Sequence, residues 1–297
     1  SIRENYKASL LKKFEPKVLI VGDDCDYFSR IFLCDARSLK SNTFLIQQGI
    51  TRKDYPEWRD LISDNIACMS EYSKEVILSQ TEKKINLEIT GNPGFDKVFY
   101  LEESTNSKIK DNLNLKDKTK VILFASQPNI PPAFISTKIR KDMFLAIYKS
   151  IKALPSDKVM LLIKPHPSEN INEINEIFKN SKNFLILKKT EDIIPYIQIC
   201  DLFITFYSQT FMQALCADKP VINLLYPNSS PGIAHLSKEV TNLIESEKAL
   251  IEIISNFYFE NQDIKKPQEV VKNFLKKNVS FFDGESSKRI LKMMEAL

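Results

Sequence analysis

The chain has 297 residues, long enough for two domains of ordinary size, and its 43% hydrophobic and 27% charged residues are typical of a globular protein. This balance excludes an intrinsically disordered chain, a collagen-like repeat and a polytopic membrane protein. The net charge of +4 comes from 42 basic and 38 acidic residues spread along the chain, so no basic stripe indicates nucleic-acid binding.

The cysteines and histidines limit the metal and disulfide chemistry that the chain can support. The five cysteines stand at positions 25, 34, 68, 200 and 216. Their number is odd and no two form a CxxC pair, whereas disulfide scaffolds and metal cages use tight, even spacing. Cys200 and Cys216 lie in apolar surroundings, so we expect them to be buried thiols in a reducing cytoplasm. The chain has two histidines, which excludes a His-rich metal site, and we expect no bound metal. The first residues predict an amphipathic helix rather than a secretory signal, which also favours a cytoplasmic location.

In the first third of the chain, short β-rich runs alternate with segments of helical periodicity, the pattern of parallel strands covered by helices. The first helix is predicted to end near Phe14. Strands are predicted at residues 17–22, 43–47, 65–69 and 87–90, and further helices at 29–39 and 71–79. Residues 102–118 are polar and charged, and we interpret them as the junction into a second domain.

The same alternation restarts after the junction. Strands are predicted at residues 120–125, 158–164, 184–187, 201–205 and 220–223, helices at 138–154, 171–179, 193–199 and 209–217, and a mostly helical tail from residue 248. The expected fold class is α/β, with two Rossmann-like, doubly wound parallel-sheet domains that face each other across a cleft. These domains would comprise residues 1–104 and 105–297.

The strongest local signal is the segment Lys164-Pro165-His166-Pro167 at the end of a predicted strand. Ligands bind beyond the carboxyl ends of parallel strands, and two prolines fix the backbone around the histidine. Lys164 and His166 can there hydrogen-bond to a phosphate and neutralise its charge. The other interpretation is a capping histidine in an ordinary turn.

A second signal lies where the predicted strand at 201–205 gives way to a helix. The free N–H groups and the positive dipole end of a helix start form an anion site, to which Ser208 and Thr210 would add hydroxyls. Ser208 as an ordinary N-cap is the alternative. The sequence contains no glycine-rich Rossmann or P-loop motif, so neither a classical NAD site nor a P-loop kinase is supported.

Three turns that follow strands of the first domain carry further candidate residues. Asp23, Asp24 and Asp26 follow the first strand, and they either include a general base or form a solvated turn that caps the next helix. The turns Gln47-Gln48-Gly49 and Thr90-Gly91-Asn92-Pro93 contain glycine, which permits a positive φ or the close approach of a ligand. Ordinary turn chemistry is the alternative for both.

Taken in order along the chain, these segments resemble the GT-B glycosyltransferase superfamily, and within it the CDP-glycerol glycerophosphotransferase-like and capsule polysaccharide transferase group. They are also similar to the sialyl- and Kdo-transferases that carry a His-Pro (HP) motif. The matching segments cover most of the chain from about residue 17 and are Gln47-Gln48-Gly49, Thr90-Gly91-Asn92-Pro93, Lys164-Pro165-His166-Pro167, Ser208-Gln209-Thr210, Lys219-Pro220-Val221-Ile222 and residues 283–290.

This resemblance implies that the second domain binds a nucleotide-activated sugar or polyol and that the first domain holds the acceptor. His166 would contact the donor phosphate and assist the leaving group, and the last helix, residues 284–297, would cross back to the first domain. The resemblance implies no divalent metal and no other cofactor, because basic groups and a helix dipole stabilise the departing phosphate. The donor-binding residues would be Lys164, His166, Pro167, Ser208, Gln209, Thr210 and Gln213, and the acceptor-side residues Asp26, Gln47, Gln48, Gly49, Gly91 and Asn92.

Three departures from the family pattern affect the expected mechanism. Gln48 stands where relatives often carry a histidine, and glutamine cannot act as a base, so Asp23, Asp24 and Asp26 become the candidates. Gln213 stands where a glutamate commonly holds the ribose. The first domain is short, either because it is naturally trimmed or because the chain is a fragment that lacks the first strands.

Three hypotheses on function follow. The leading hypothesis is a cytoplasmic, metal-independent GT-B transferase. It would move a sugar or polyol phosphate from a nucleotide donor to a growing bacterial surface glycan, and a cytidine-linked donor is favoured over a uridine-linked one. In its mechanism an aspartate such as Asp23 or Asp24 deprotonates the acceptor hydroxyl, while His166 and Lys164 neutralise the leaving phosphate. The alternatives are an isomerase similar to UDP-N-acetylglucosamine 2-epimerase and a catalytically inactive nucleotide-binding scaffold of the same fold.

The expected partners are a nucleotide-sugar donor and a glycan or lipid-linked glycan acceptor, without nucleic acid. Two segments bear on a peripheral contact with the inner face of the membrane. The lysines between residues 265 and 277 are more typical of a solvated helix face than of a surface that contacts acidic lipid headgroups. The apolar residues between 243 and 258 favour packing against the sheet over docking on a membrane.

Overall fold

The computed structural model describes residues 11–53, 55–101, 103–116, 118–128, 136–179, 183–206, 208–225 and 237–297. The chain forms two compact units: unit 1 comprises Ser1–Tyr100 and Asn273–Leu297, and unit 2 comprises Leu101–Lys272. Each unit contains a parallel sheet flanked by helices, which confirms the predicted α/β fold with two Rossmann-like domains. In the described part of the chain, no helix is both long and apolar enough to span a membrane.

Unit 1 is built on a four-stranded sheet of short, apolar-rich strands. These strands are β1 (Val18–Val21), β2 (Asn42–Ile46), β3 (Asn65–Cys68) and β4 (Asn86–Ile89). They lie in the order β1-β2-β3-β4 with all neighbours parallel, and all four residues of β3 are buried. Leu45 lies opposite Val21 on one side and Ile66 on the other, so apolar side chains of adjacent strands pack together.

The helices of unit 1 include segments from both ends of the chain. They are α1 (residues 11–14), α2 (Tyr27–Ser38), α3 (Glu71–Gln80), α4 (Pro93–Asp96), which continues into a 3-10 turn (Lys97–Phe99), and α12 (Ser286–Glu295). Ile290 and Met293 of α12 pack against Phe44 and Ala67 of the sheet. The carboxyl-terminal helix therefore completes the core of unit 1.

Unit 2 carries a six-stranded parallel sheet. Its strands are β5 (Lys120–Ala125), β6 (Val159–Lys164), β7 (Phe184–Ile186), β8 (Leu202–Phe206), β9 (Val221–Leu224) and β10 (Asn242–Ile244). They lie in the order β7-β6-β5-β8-β9-β10, which corresponds to the 3-2-1-4-5-6 order of dinucleotide-binding folds. The winding reverses between β5 and β8, and ligands bind such sheets at this switch point.

The helices of unit 2 cover a core that is rich in phenylalanine. They are α5 (Glu103–Asn112), α6 (Thr137–Lys152), α7 (Ile171–Phe178), α8 (Ile194–Ile199), α9 (Thr210–Cys216) and α10 (Glu247–Phe259), and α11 (Gln268–Asn278) leads from unit 2 into unit 1. The ring of Phe144 on α6 lies edge-on to those of Phe124, Phe206 and Phe178, with centroids 5.4, 6.1 and 6.5 Å away. All four rings are fully buried, so this cluster joins α6 and α7 to the sheet.

Two elements differ from the sequence prediction. The polar segment interpreted as a junction contains α5, which contacts α8 and so gains tertiary support that its own sequence does not reveal. Leu243 and Ile244, grouped with a helix by their spacing, instead form part of β10 beside β9. The helix begins after them because the Ser246 hydroxyl accepts the N–H of Ala249 at 3.2 Å and caps α10.

Candidate functional site

The candidate site lies at the carboxyl ends of β5, β6 and β8, where the winding of unit 2 reverses. Two hydrogen bonds hold these strand ends together. The N–H of Ser126 donates to the Lys164 carbonyl at 3.1 Å, and the Thr205 hydroxyl donates to the Ala125 carbonyl at 3.0 Å. The loops that follow the three strands therefore leave from one ordered edge of the sheet.

The imidazole ring of His166 is held in one orientation by the backbone that follows it. Its Nδ1 accepts the N–H of Ser168 at 3.2 Å, and its carbonyl accepts the N–H of Glu169 at 3.0 Å. Because Nδ1 is an acceptor, the proton of the neutral ring is assigned to Nε2, which becomes a hydrogen-bond donor. Burial lowers the pKa of His166, against an opposing effect of Glu169 and with a smaller lowering by Lys164, so the ring is neutral at pH 7.

A buried carboxylate that the sequence analysis missed lies behind this loop. Glu169 accepts hydrogen bonds from the Ser126 hydroxyl at 2.5 Å and from the His166 N–H at 2.6 Å. It also pairs with Nη2 of Arg140 on α6 at 2.5 Å. An acidic residue three positions after the histidine was the available signal, but the sequence spacing does not show that its partners come from other segments.

The ammonium group of Lys164 is bonded to backbone carbonyls. Its Nζ donates to the carbonyl of Lys189 at 2.9 Å and to that of Pro165 at 3.2 Å. Burial lowers the pKa of Lys164, although nearby carboxylates oppose this shift. Lys164 thus ties the end of β6 to the segment after β7, whereas Pro167 of the same motif is exposed; contact of either residue with a phosphate stays a prediction.

The candidate phosphate-binding residues after β8 lie at the start of α9. The Oγ of Ser208 accepts hydrogen bonds from the N–H of Thr210 at 3.3 Å and from its hydroxyl at 3.0 Å. Gln209 directly precedes the helix, and Gln213 lies within it. The two hydroxyls predicted to hold the donor are therefore adjacent and belong to the segment that leaves the switch point.

The three aspartates that follow β1 have three different environments. Asp26 caps α2 by accepting two N–H groups of its first turn at 2.9 and 3.1 Å. Asp24 is buried and accepts the N–H groups of Ile62 at 3.0 Å and Ser63 at 2.8 Å. Asp23 is the exposed carboxylate of the three, and its Oδ1 accepts the N–H groups of Cys25 at 2.5 Å and of Asp26 at 3.1 Å. All three carboxylates therefore hold backbone N–H groups, and Asp23 stays the candidate for a base because it is the exposed one.

We expect Asp24→Ala to lower the free energy of unfolding by about 2–4 kcal/mol, because it leaves two buried N–H groups without an acceptor. The matched variant Asp23→Ala is expected to lower it by about 1 kcal/mol or less, because the two N–H groups that Asp23 accepts lie in an exposed turn, where water can replace the carboxylate. Urea denaturation followed by circular dichroism measures both. Equal effects of the two variants would contradict the structural role of Asp24.

Gln47 holds together the turn predicted on the acceptor side. Its Nε2 donates to the carbonyl of Gly49 at 2.7 Å and to the hydroxyls of Thr51 at 2.7 Å and Ser73 at 3.0 Å. Its Oε1 accepts the N–H of Met69 at 2.8 Å. The buried Gln47 amide therefore joins the carboxyl ends of β2 and β3 to α3 and is committed to the fold.

Gln48, the second residue of the Gln47-Gln48-Gly49 turn, is exposed and lies against Gly22 at the end of β1. A Cβ on Gly22 would stand 2.1 Å from Nε2 of Gln48, so the glycine makes room for this side chain. Asp23 follows Gly22 in the chain. Unit 1 thus brings Gln48 to the same strand-end turn as Asp23, whereas Gln47 and Asp24 serve internal hydrogen bonds.

Gly91 and Asn92, also predicted on the acceptor side, lie in a turn that contacts the carboxyl-terminal helix. Gly91 has φ +82°, and a Cβ there would stand 2.5 Å from Oγ of Ser286. Asp96 accepts the first two N–H groups of α12 at 3.1 and 2.7 Å. The amide of Asn92 donates to the Gln48 carbonyl at 3.2 Å. The motifs near residues 90 and 285 therefore interlock, which gives both a structural role.

The comparisons with known proteins agree with this architecture. Residues 46–296 match the family model described as CDP-Glycerol:Poly(glycerophosphate) glycerophosphotransferase. No curated protein matches the sequence.

Solved structures with low sequence identity share the fold. UDP-GlcNAc 2-epimerase from Neisseria meningitidis bound to UDP-GlcNAc has a TM-score of 0.71 at 17% identity, over 99% of this chain and 80% of that one. The S. aureus MnaA–UDP co-structure has a TM-score of 0.70 at 15% identity, over 98% and 79%. A variant of the wall teichoic acid polymerase TagF, soaked with CDPG, has a TM-score of 0.68 at 14% identity, over 94% and 72%.

Proposed function

Because the family model covers residues 46–296, the chain belongs to the CDP-Glycerol:Poly(glycerophosphate) glycerophosphotransferase family, and we propose that it transfers glycerol phosphate or a sugar from a cytidine nucleotide donor to a surface glycan. The family establishes a nucleotide-dependent transferase with the GT-B fold. The cytidine base, the glycan or lipid-linked glycan acceptor, and a cytoplasmic reaction that needs no metal are the proposed parts.

The orientation of His166 is the observation that supports this function. The N–H of Ser168 occupies Nδ1, so the proton on Nε2 is the group that the ring can offer to a ligand. The loop follows β6, next to β5 and the switch point, where sheets of this order bind the phosphates of nucleotides. A neutral N–H donor at this edge fits a donor diphosphate, and the Ser208 and Thr210 hydroxyls after β8 are proposed as further donors.

For a CDP-glycerol donor, the chemistry is a substitution at phosphorus, in which the oxygen of an acceptor hydroxyl replaces the bridging oxygen of the diphosphate. An acceptor hydroxyl attacks the phosphorus that carries the glycerol, and the bond from that phosphorus to the bridging oxygen breaks. CMP leaves with the bridging oxygen and its electron pair, while the acceptor loses its proton. A hydrogen bond from Nε2 of His166 to the phosphate of the leaving CMP stabilises the negative charge that develops there.

We propose Asp23 as the base that takes the acceptor proton. Its carboxylate is exposed although its Oδ1 accepts two backbone N–H groups of the turn, whereas Asp24 is buried and Asp26 is the cap of α2. Glutamine at position 48 offers no titratable group, but its amide is able to hydrogen-bond to an acceptor hydroxyl.

The alternative function is the epimerisation of UDP-N-acetylglucosamine. It is favoured by the UDP-GlcNAc 2-epimerase structure with a TM-score of 0.71, a likeness that concerns the fold. The two functions differ in products, because an epimerase inverts C2 of the sugar and a transferase releases a nucleotide in proportion to acceptor.

Turnover with two donors separates these functions. The purified chain is incubated with CDP-glycerol and a short glycerol phosphate oligomer, and in parallel with UDP-N-acetylglucosamine in D₂O. We expect CMP release that depends on the oligomer and persists in EDTA, with no deuterium entering at C2 of the sugar. Deuterium at C2 without CMP release would replace the proposal with the epimerase, and CMP release abolished by EDTA would contradict the metal-independent reaction.

A further inference from the structure

Glu169 combines complete burial with a position at the edge of the candidate site. Its side chain is 0% exposed, and that of its partner Arg140 is 5% exposed. Glu169 spans two strand ends, because it accepts from Ser126 after β5 and from His166 after β6. Sequence reasoning singles out neither Glu169 nor Arg140, and the proposed chemistry makes no direct use of them.

The stability of unit 2 alone does not account for this ion pair. Removing two charges from water is costly, and a well-packed apolar core of the same volume is often equally stable or more so. The pair lies beside such a core, since Cζ of Arg140 stands 4.6 Å from the centroid of Phe144. Arg140 is further fixed by an ion pair with Glu173 and by a hydrogen bond from Nε to the Gln127 carbonyl at 3.1 Å.

We propose that Glu169 is a positioning residue for His166, held rigid by Arg140 so that the loop after β6 presents Nε2–H to the donor phosphate. This role rests on the proposed function. Glu169 itself contacts neither donor nor acceptor in this proposal, and it acts through the backbone of His166.

Glu169 fixes both backbone polar groups of His166. Its carboxylate accepts the His166 N–H at 2.6 Å, and its own N–H donates to the His166 carbonyl at 3.0 Å. Pro165 and Pro167 restrict the backbone on either side. The Ser168 N–H then sets the ring at 3.2 Å. These contacts, all within one short loop, direct Nε2, and the carboxylate of Glu169 anchors the loop to the segment after β5.

The charge of Glu169 also acts on the ring that it positions. The charged groups that act on His166 are Glu169, which raises its pKa, and Lys164, which lowers it, in addition to the lowering by burial. Arg140 stands behind Glu169 and pairs with it. Loss of the negative charge at position 169 is therefore expected to lower the pKa of His166 further, which provides a spectroscopic readout that is independent of turnover.

The test compares Glu169→Gln with Glu173→Gln, which removes the other carboxylate that pairs with Arg140. We expect Glu169→Gln to lower kcat for transfer about 10²-fold with little change in KM, because a displaced group costs about that factor. Glu173→Gln is expected to stay within about twofold of the wild type, as its side chain is partly exposed. Ser126→Ala, which removes one donor to Glu169, is expected to fall between them.

The same variants are compared by NMR of ¹⁵N-labelled histidine. We expect Glu169→Gln to lower the pKa of His166 and to weaken the preference for the Nε2–H tautomer, and Glu173→Gln to leave both unchanged. If Glu169→Gln does not fold, Ser126→Ala carries the same test. Unchanged kcat and unchanged His166 signals in the folded variant would overturn the proposal, and so would an equal loss in Glu173→Gln.

Failure of the proposed function has a different signature. A wild-type chain that transfers nothing and binds no cytidine nucleotide contradicts the proposed function, whereas the tautomer of His166 and its response to Glu169→Gln still report on positioning. Conversely, a wild type that turns over normally, with a Glu169→Gln variant of equal kcat and unchanged His166 signals, overturns the positioning role alone.

Discussion

His166→Ala is expected to lower kcat for transfer about 10²–10³-fold, the cost of removing one preorganised donor to a developing negative charge. The structure assigns that donor as Nε2–H, because Nδ1 already accepts the Ser168 N–H. The free energy of unfolding is expected to change little, since the bonds that hold the loop to Glu169 come from the backbone of His166. Initial rates of CMP release, with circular dichroism as the folding control, measure both effects.

His166→Gln is the control that tests the role of the donor. A glutamine amide also offers an N–H and carries no titratable proton, so we expect it to recover part of the activity lost in His166→Ala. Equal activity of the two variants would contradict a hydrogen-bond role. A requirement for the protonated ring would instead show as an activity that rises as the pH falls through the pKa of His166.

The lowered pKa of His166 has a defined effect on stability. In the unfolded chain the ring titrates near 6.5, whereas burial lowers its pKa in the fold. Above pH 6.5 the ring is neutral in both states and contributes no pH dependence. Below pH 6.5 the unfolded chain binds the proton first, so this contribution to stability is lost as the pH falls towards the pKa of the folded state.

Phe144→Ala is expected to cause the largest loss of stability, about 3–5 kcal/mol in the free energy of unfolding, as for other buried Phe→Ala substitutions. The ring is fully buried and lies edge-on to three other phenylalanine rings. It also supports Arg140, whose Cζ stands 4.6 Å from its centroid. Urea denaturation followed by circular dichroism measures the loss.

Phe259→Ala is the matched control, since this ring ends α10 and is 58% exposed. We expect a change of less than about 0.5 kcal/mol, typical of exposed positions. Similar losses in the two variants would contradict the assignment of the core to the cluster around Phe144.

Local patterns were enough to predict most of the fold. The alternation of apolar strands with amphipathic helices predicted β1 to β9 within one or two residues, because buried parallel strands are short apolar runs. The Lys164-Pro165-His166-Pro167 segment was found because two prolines at a strand end are visible in the sequence alone. β10 was missed because Leu243 and Ile244 fit the spacing of the helix that follows them.

The structural roles of several residues near the candidate site depend on contacts between segments that are distant in the sequence. Asp24 is 38 and 39 residues from the two N–H groups that it accepts, and nothing in its local sequence distinguishes it from the exposed Asp23. Arg140 is 29 residues from Glu169. Gly91 requires space because Ser286 of α12 packs against it. Such roles follow only from the folded chain. A run of aspartates or a glycine turn in the sequence therefore does not show whether its residues serve the reaction or the fold.

The most direct test of this account is a titration of the ¹⁵N-histidine-labelled chain with CDP, without added metal and followed by NMR. The chain has two histidines, so the signals of His166 are assigned by comparison with His166→Ala. We expect a saturable shift of the His166 Nε2–H signal, with Nδ1 remaining unprotonated. Binding of CDP that leaves this signal unmoved, or no binding at all, would contradict the assignment of the donor phosphate to the loop after β6.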